Sequence, residues 1–157
     1  MESDDDNFKK QTEISPQYSS EPVFSLECSH CGSTVCRRGM SAVLLANSDV
    51  QLFSTDCPEV CEVATTASLF LAENCECWLV NMPCVCCGNC LGYNVRVPCR
   101  ECLSSSNNGH LWMFYVDSVT SYERLNYKGE EVLLWGKLNE DEKEYEQLMS
   151  LQDFCNR

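Results

Sequence analysis

The chain has 157 residues, enough for one domain or at most two, and 14 of them are cysteine. Lys and Arg total 11 against 24 Asp and Glu, and the formal charge of −13 argues against binding nucleic-acid phosphates or an anionic membrane. No run approaches the roughly 18 apolar residues of a membrane span, and the acidic N-terminus lacks the apolar run of a secretory signal. We therefore expect a cytosolic or nuclear protein that is not secreted.

In chain order, the polar residues 1–22 predict a disordered tail because they offer little to bury. Short apolar or alternating runs of strand length follow, separated by Cys, Gly, Pro and Asn clusters. These runs are Val23–Glu27, Ala42–Ala46, Val50–Ser54, Ala67–Ala72, Trp78–Met82, Leu91–Val97, Leu111–Val116 and Val132–Trp135. They predict a mainly β domain over residues 23–138. Asn139 is placed to cap a helix to about Gln152, so residues 139–157 are predicted to form an acidic C-terminal helix and tail.

Two segments share the pattern Cys-x-x-Cys-Gly, one at Cys28 and Cys31 and the other at Cys84 and Cys87. In such a knuckle the chain turns tightly and points both sulfurs at one place, and the glycine adopts a backbone conformation closed to other residues. In a reducing compartment, paired cysteines more often bind metal than form disulfides. Four thiolates suit tetrahedral Zn²⁺, so the matching knuckles predict one Cys₄ zinc site.

Two further pairs, Cys75/Cys77 and Cys99/Cys102, predict a second zinc site. Strand residues two apart point to the same side, so a Cys-x-Cys pair can also reach one ion. The four pairs can combine into two sites in three ways, and we favour this combination because the two knuckles match. Disulfides or free thiols remain alternatives at both sites, and His30 or His110 could replace a sulfur.

The remaining cysteines fit no clear site: Cys36, Cys57, Cys61, Cys86, Cys90 and Cys155. The spacing of Cys87 and Cys90 leaves open a shifted pairing at the second knuckle. The sequence contains no Gly-x-Ser-x-Gly, P-loop, dinucleotide fingerprint or His-Glu-x-x-His. A catalytic zinc keeps an open coordination position, whereas these ligands come in closed fours. We therefore expect a protein that is not an enzyme.

Several blocks of the sequence resemble one small eukaryotic family. They are Arg38–Ala46, Leu52–Asp56, Cys87–Asn89, Gly92–Tyr93, Val97–Leu103, Ser106–Phe114 and Leu133–Gly136. The family is the "family with sequence similarity seventy-two", whose vertebrate members bind and antagonise uracil-DNA glycosylase. The match runs from Cys28 to Leu138 and includes the same eight cysteines. This family is similar to the zinc-clamped β-tent domains of Yippee proteins and cereblon, in which Cys-x-x-Cys pairs pin two antiparallel sheets.

The resemblance implies a zinc-stabilised interaction module that binds uracil-DNA glycosylase and so regulates DNA repair. A partner of this kind needs a buried aromatic anchor, for which Trp135 is the main candidate, with Leu133 on the same face of its strand. Ordinary core is the alternative for Trp135, and Trp112 reads as core. Recognition of a partner segment is preferred over mimicry of DNA by the acidic tails.

Two further functional classes remain open. One is a zinc-containing thiol redox enzyme like the methionine-sulfoxide-reductase β-tent proteins, using a spare cysteine such as Cys155. The other is a ubiquitin-pathway scaffold by analogy with cereblon, which rests on fold analogy alone.

Overall fold

The computed structural model describes residues 16–44, 47–104 and 108–155. The chain divides into two compact units, one of residues 24–122 and one that joins the residues before 24 to those after 122. Most of the predicted N-terminal tail lies outside the described residues. The domain limits placed at residues 22 and 138 rest on composition and stay a prediction.

The unit of residues 24–122 is built on a mainly antiparallel sheet of eight strands, which confirms the predicted mainly β fold class. The strand order is β4-β5-β6-β7-β3-β2-β1-β8. The strands are β1 (Phe24–Cys28), β2 (Thr34–Leu44), β3 (Asn47–Thr55), β4 (Phe70–Leu71), β5 (Trp78–Pro83), β6 (Cys90–Val97), β7 (Trp112–Tyr115) and β8 (Val119–Glu123). A short helix, α1 (Arg100–Ser104), follows β6.

Strand β2 is shared between two pairings. Its residues 34–39 pair with β1, and its residues 40–44 pair with β3. The sequence predicts only the second of these stretches, because Arg37 and Arg38 interrupt the apolar pattern of the first. Strand β8 is not predicted at all, since four of its five residues are exposed.

The core of this unit gathers apolar side chains from both halves of the strand order. Leu26 and Val35 come from β1 and β2, and Met82, Leu91 and Phe114 come from β5, β6 and β7; all five are fully buried. Trp112 packs against this cluster, as expected for a core residue. Gly92 lets β6 and β7 approach closely, because any Cβ at this position would overlap the backbone carbonyl of Met113.

The second unit contains helix α2 (Leu138–Cys155), which confirms a C-terminal helix. The helix begins one residue before the predicted cap at Asn139, because a 3₁₀ turn over Trp135–Lys137 leads directly into it. The predicted strand Val132–Trp135 is wrong, since only isolated bridges form there. No helix in the described part of the chain combines the length and apolar character needed to cross a membrane.

A buried polar network connects β3 to the turn before β7. The Nδ1 of His110 lies 3.0 Å from the Oγ of Ser54, to which the side-chain amide of Asn108 donates at 2.6 Å. His110 is 8% exposed, and its burial lowers its pKa from 6.5 to about 4. The charged groups that act on it are Asp56, which raises the pKa, and Arg38, which lowers it. His110 is therefore neutral in the folded protein at pH 7.

The free energy of unfolding is expected to fall as the pH drops from about 6.5 towards 4. In this range His110 binds a proton in the unfolded chain but not in the folded chain. Once the pH is below both pKa values of His110, the total loss in the free energy of unfolding is about 3 kcal/mol. The measurement is the unfolding free energy by urea titration at successive pH values, for the wild type and for His110→Asn. The variant retains a hydrogen-bonding group but should lack this part of the slope. Identical slopes for the two proteins would contradict the assignment.

Candidate metal centres

The first cysteine cluster is held by two turns with the same backbone geometry. The N–H of Gly32 donates to the carbonyl of Cys28 at 2.8 Å, and the N–H of Gly88 donates to that of Cys84 at 2.8 Å. The two glycines have φ angles of +77° and +78°, a region that side chains disfavour. Each turn joins two paired strands, β1 to β2 and β5 to β6. The Cys-x-x-Cys-Gly pattern therefore reflects a real and repeated turn.

The four sulfurs of this cluster have the spacing of a tetrahedral metal site. The Sγ atoms of Cys28 and Cys87 lie 3.6 Å apart, as do those of Cys31 and Cys84. All four lie within 4.8 Å of one another. A regular tetrahedron with Zn–S bonds of about 2.3 Å has edges of about 3.8 Å, so the observed spacing fits zinc.

The second cluster brings together Cys75, Cys77, Cys99 and Cys102, also within 4.8 Å of one another. The Sγ atoms of Cys77 and Cys99 lie 3.6 Å apart, and the N–H of Cys99 donates to the Sγ of Cys77 at 3.2 Å. The Cys-x-Cys pair precedes β5, and the other pair spans the start of α1. The favoured combination of cysteine pairs is the one that the structure assembles.

The thiols within each cluster differ in how readily they ionise. Hydrogen bonding with Ser33 lowers the pKa of Cys31 to about 6, and a backbone hydrogen bond with Cys102 lowers that of Cys99 to about 7. Burial raises the pKa of Cys84 to about 12 and also raises that of Cys102. Four thiolates at such spacing repel one another unless a cation lies among them. The donor set therefore fits a soft, tetrahedral divalent cation such as Zn²⁺.

The remaining described cysteines lie outside both clusters. Cys36 is fully buried, and burial raises its pKa to about 11, which disfavours the reactive thiolate form. Cys57, Cys61 and Cys86 are exposed. Cys90 lies with its Sγ 3.4 Å from the carbonyl of Gly92, so the structure assembles Cys84 and Cys87 rather than the shifted pair. The side chain of Cys155 lies outside the described residues.

Neither histidine belongs to a cluster in the described residues. His30 is exposed within the first knuckle, and His110 belongs to the buried network with Ser54.

The residues predicted to contact a partner lie in the interior. Trp135 and Leu133 are each 2% exposed. The N–H of Trp135 donates to the carbonyl of Glu21, and the carbonyl of Leu133 accepts from the N–H of Val23, both at 2.9 Å. This placement favours the alternative of ordinary core, and a direct role in binding stays a prediction. The exposed tryptophan is Trp78, at 42%.

Comparison with known proteins agrees with this geometry. Residues 15–155 match the family model described as "Yippee homolog 2 zinc finger protein". Among solved structures, the chain is similar to the crystal structure of the Mis18 "Yippee-like" domain, with a TM-score of 0.51 and 13% sequence identity. The match covers 66% of this chain and 99% of that one. At this identity, the likeness to the solved structure concerns the fold alone.

Native mass spectrometry of the full chain should find two zinc ions per molecule. Cys28→Ser and Cys102→Ser should each remove one ion, because each variant breaks one Cys₄ set, while Cys90→Ser should keep both. Chelation of both ions should unfold the chain, since the energy of metal binding contributes to folding. A wild type without zinc, or loss of zinc in Cys90→Ser, would contradict the assignment.

Trp135→Ala should lower the free energy of unfolding by about 3–5 kcal/mol, the usual cost of truncating a buried aromatic side chain. Denaturant unfolding measures this loss, with Trp78→Ala as the control at an exposed tryptophan. A fully stable Trp135→Ala variant that no longer bound uracil-DNA glycosylase would instead support the anchor hypothesis.

Proposed function

The chain belongs to the Yippee-like family of zinc finger proteins, and we propose that it is a non-enzymatic protein-interaction module stabilised by two structural zinc ions. The observation that carries this proposal is the closure of both clusters. Each supplies four cysteine sulfurs, whereas a catalytic zinc commonly takes three protein ligands and keeps one position for water or substrate. We place the protein in the cytosol or the nucleus.

The charge of the chain supports a protein partner rather than a nucleic acid. The formal charge is −13 before any metal binds. Eight thiolates and two Zn²⁺ ions would make it more negative still. A surface of this sign repels phosphates.

For the partner we propose uracil-DNA glycosylase, which the protein would antagonise. Support comes from the resemblance described above, which covers residues 28–138. Two of its blocks are joined in the fold, because Arg38 forms a two-point ion pair with Asp56 at 2.7 and 2.8 Å, and this contact supports the shared fold rather than the choice of partner. The Ser54–His110 contact connects a third block to them.

Recognition of a segment of the glycosylase is the preferred mechanism over mimicry of DNA. Mimicry would rely on a dense acidic surface, but Glu140, Glu142 and Glu144 follow one another along the first turns of α2, where Glu140 and Glu144 are exposed and Glu142 is half-buried. Such runs of charge are usually solvated. No described feature favours the redox alternative, which stays a prediction and is tested by turnover of methionine sulfoxide with a thiol reductant.

Titration calorimetry of the zinc-loaded chain with purified uracil-DNA glycosylase tests the partner. We expect binding whose affinity changes less than about tenfold between 0.1 M and 1 M salt, although the Debye length falls from about 10 Å to about 3 Å. The control is the triple substitution Glu140→Gln, Glu142→Gln and Glu144→Gln, which should bind equally well.

Absence of binding would overturn the choice of partner while leaving the zinc-stabilised module intact. Binding that disappears both at high salt and in the triple variant would favour DNA mimicry instead.

A further inference from the structure

Three exposed apolar side chains form a row across one end of the sheet. In the strand register, Leu71 of β4 is opposite Trp78 of β5, and Trp78 is opposite Val97 of β6. Directly opposed residues lie on the same face, so these side chains are neighbours. Their exposed fractions are 51%, 42% and 51%. A tryptophan flanked by two aliphatic residues is typical of an interaction surface rather than of scattered surface apolar residues.

The row ends at a free sheet edge. Strand β4 is last in the strand order, and no described strand pairs with its outer side. The N–H of Ala72 donates to the carbonyl of Cys77 at 2.9 Å, which continues the ladder of Phe70 with Leu79. Because hydrogen-bonded pairs alternate along an antiparallel ladder, the backbone N–H and C=O of Leu71 point away from β5. They are available to another strand.

Strand β4 has only two residues, which itself limits pairing, but its edge lacks the other features that normally protect a free strand. Sheet edges are usually blocked by lysine, proline or inward-pointing charges. Here Leu69, Phe70 and Leu71 follow one another, and all three are exposed. A shallow concavity of about 260 Å³ lies beside them, and its lining is partly apolar and partly polar: Thr66, Ala67, Leu69, Val80 and Arg96. An apolar side chain of an incoming strand could enter it.

The second cysteine cluster adjoins the row at both inner strands. Cys77 immediately precedes Trp78, and Cys99 follows Val97 by two residues. The Sγ atoms of Cys77 and Cys99 lie 3.6 Å apart, so a metal ion bound to this cluster would fasten the ends of β5 and β6 next to the row. Positioning of this kind lowers the entropy lost when a partner binds.

The charge beside the edge indicates the chemistry of the occupant. Glu73 and Glu76 are exposed in the turn that joins β4 to β5. A second copy of this chain would bring a further net charge of −13 towards this acidic turn. Opposite charge favours binding, so the part of the occupant that lies beside this turn should carry lysine or arginine, whereas the part beside the exposed Arg96 need not.

We propose that the β4 edge surface, made of Leu69, Leu71, Trp78 and Val97, binds an extended basic segment of a partner protein. The segment adds a strand to β4, as in other cases of strand addition. Its alternate apolar side chains pack on Trp78 and its neighbours, and its basic residues lie beside Glu73 and Glu76. The proposal goes beyond the proposed function, because it does not depend on which protein supplies the segment.

The test uses the full zinc-loaded chain and a short synthetic peptide of alternating lysine and valine, followed by NMR of the backbone amides. We expect saturable shifts centred on Leu71 and Trp78. Trp78→Thr should weaken binding at least about tenfold, as expected for a central aromatic residue. Leu71→Thr should also weaken it, whereas Val43→Thr, at a residue 52% exposed on β2, should not. Zinc content and circular dichroism establish that each variant is folded.

Two matched peptides test the two parts of the proposal. A peptide of alternating glutamate and valine should not bind, and N-methylation of the lysine–valine backbone should abolish binding because it removes the strand hydrogen bonds. The proposal is overturned by absence of binding, by equal binding of the acidic peptide, or by shifts that survive Trp78→Thr. A concentration-dependent dimer of the chain alone, lost in Trp78→Thr, would overturn it in favour of a second copy.

Discussion

The meeting of four cysteine sulfurs at the first cluster is the constraint on which the larger unit depends. The turn between β1 and β2 supplies two sulfurs, and the turn between β5 and β6 supplies the others. In the strand order these turns are separated by β7 and β3. A flat sheet would hold them far apart, so the sheet must bend until the turns meet. A metal ion bound to all four sulfurs would fasten this bend, and the apolar residues of both strand pairs then share one core.

Electrostatics and packing favour the same arrangement. Cys28 and Cys84 are nearly fully buried, and burial raises the pKa of each thiol. Buried thiols resist ionisation, whereas a zinc ligand must be a thiolate. The positive charge of the ion therefore offsets the free-energy cost of ionising thiols that are buried in the core. The segment between the two turns adds backbone hydrogen bonds next to both. The N–H of Glu59 donates to the carbonyl of Val35, and the N–H of Val85 donates to the carbonyl of Glu62.

The cluster could be predicted from the sequence because its signal is local. Each Cys-x-x-Cys-Gly turn can be recognised from five consecutive residues. Because the two turns share this pattern, they can be assigned to one site without knowledge of the fold. The placement of Trp135 could not be predicted this way. A Leu-Leu-Trp run is equally consistent with an exposed strand and a buried turn, and the difference comes from backbone bonds to Glu21 and Val23, more than 100 residues earlier. Strand β8 could not be predicted for a similar reason. It pairs with β1, but four of its five residues are exposed, so its sequence carries no apolar pattern.

The blocks that carry the family resemblance serve the fold more visibly than they serve binding. Arg38 pairs with Asp56, Ser54 contacts His110, and Gly92 admits the backbone of β7. Residues with such roles stabilise the sheet whatever its function, so they do not determine which partner binds. Selectivity is better carried by exposed side chains that the fold itself does not require. Trp78 is such a residue: it lies outside the resembling blocks, yet the cysteine immediately before it fixes its position.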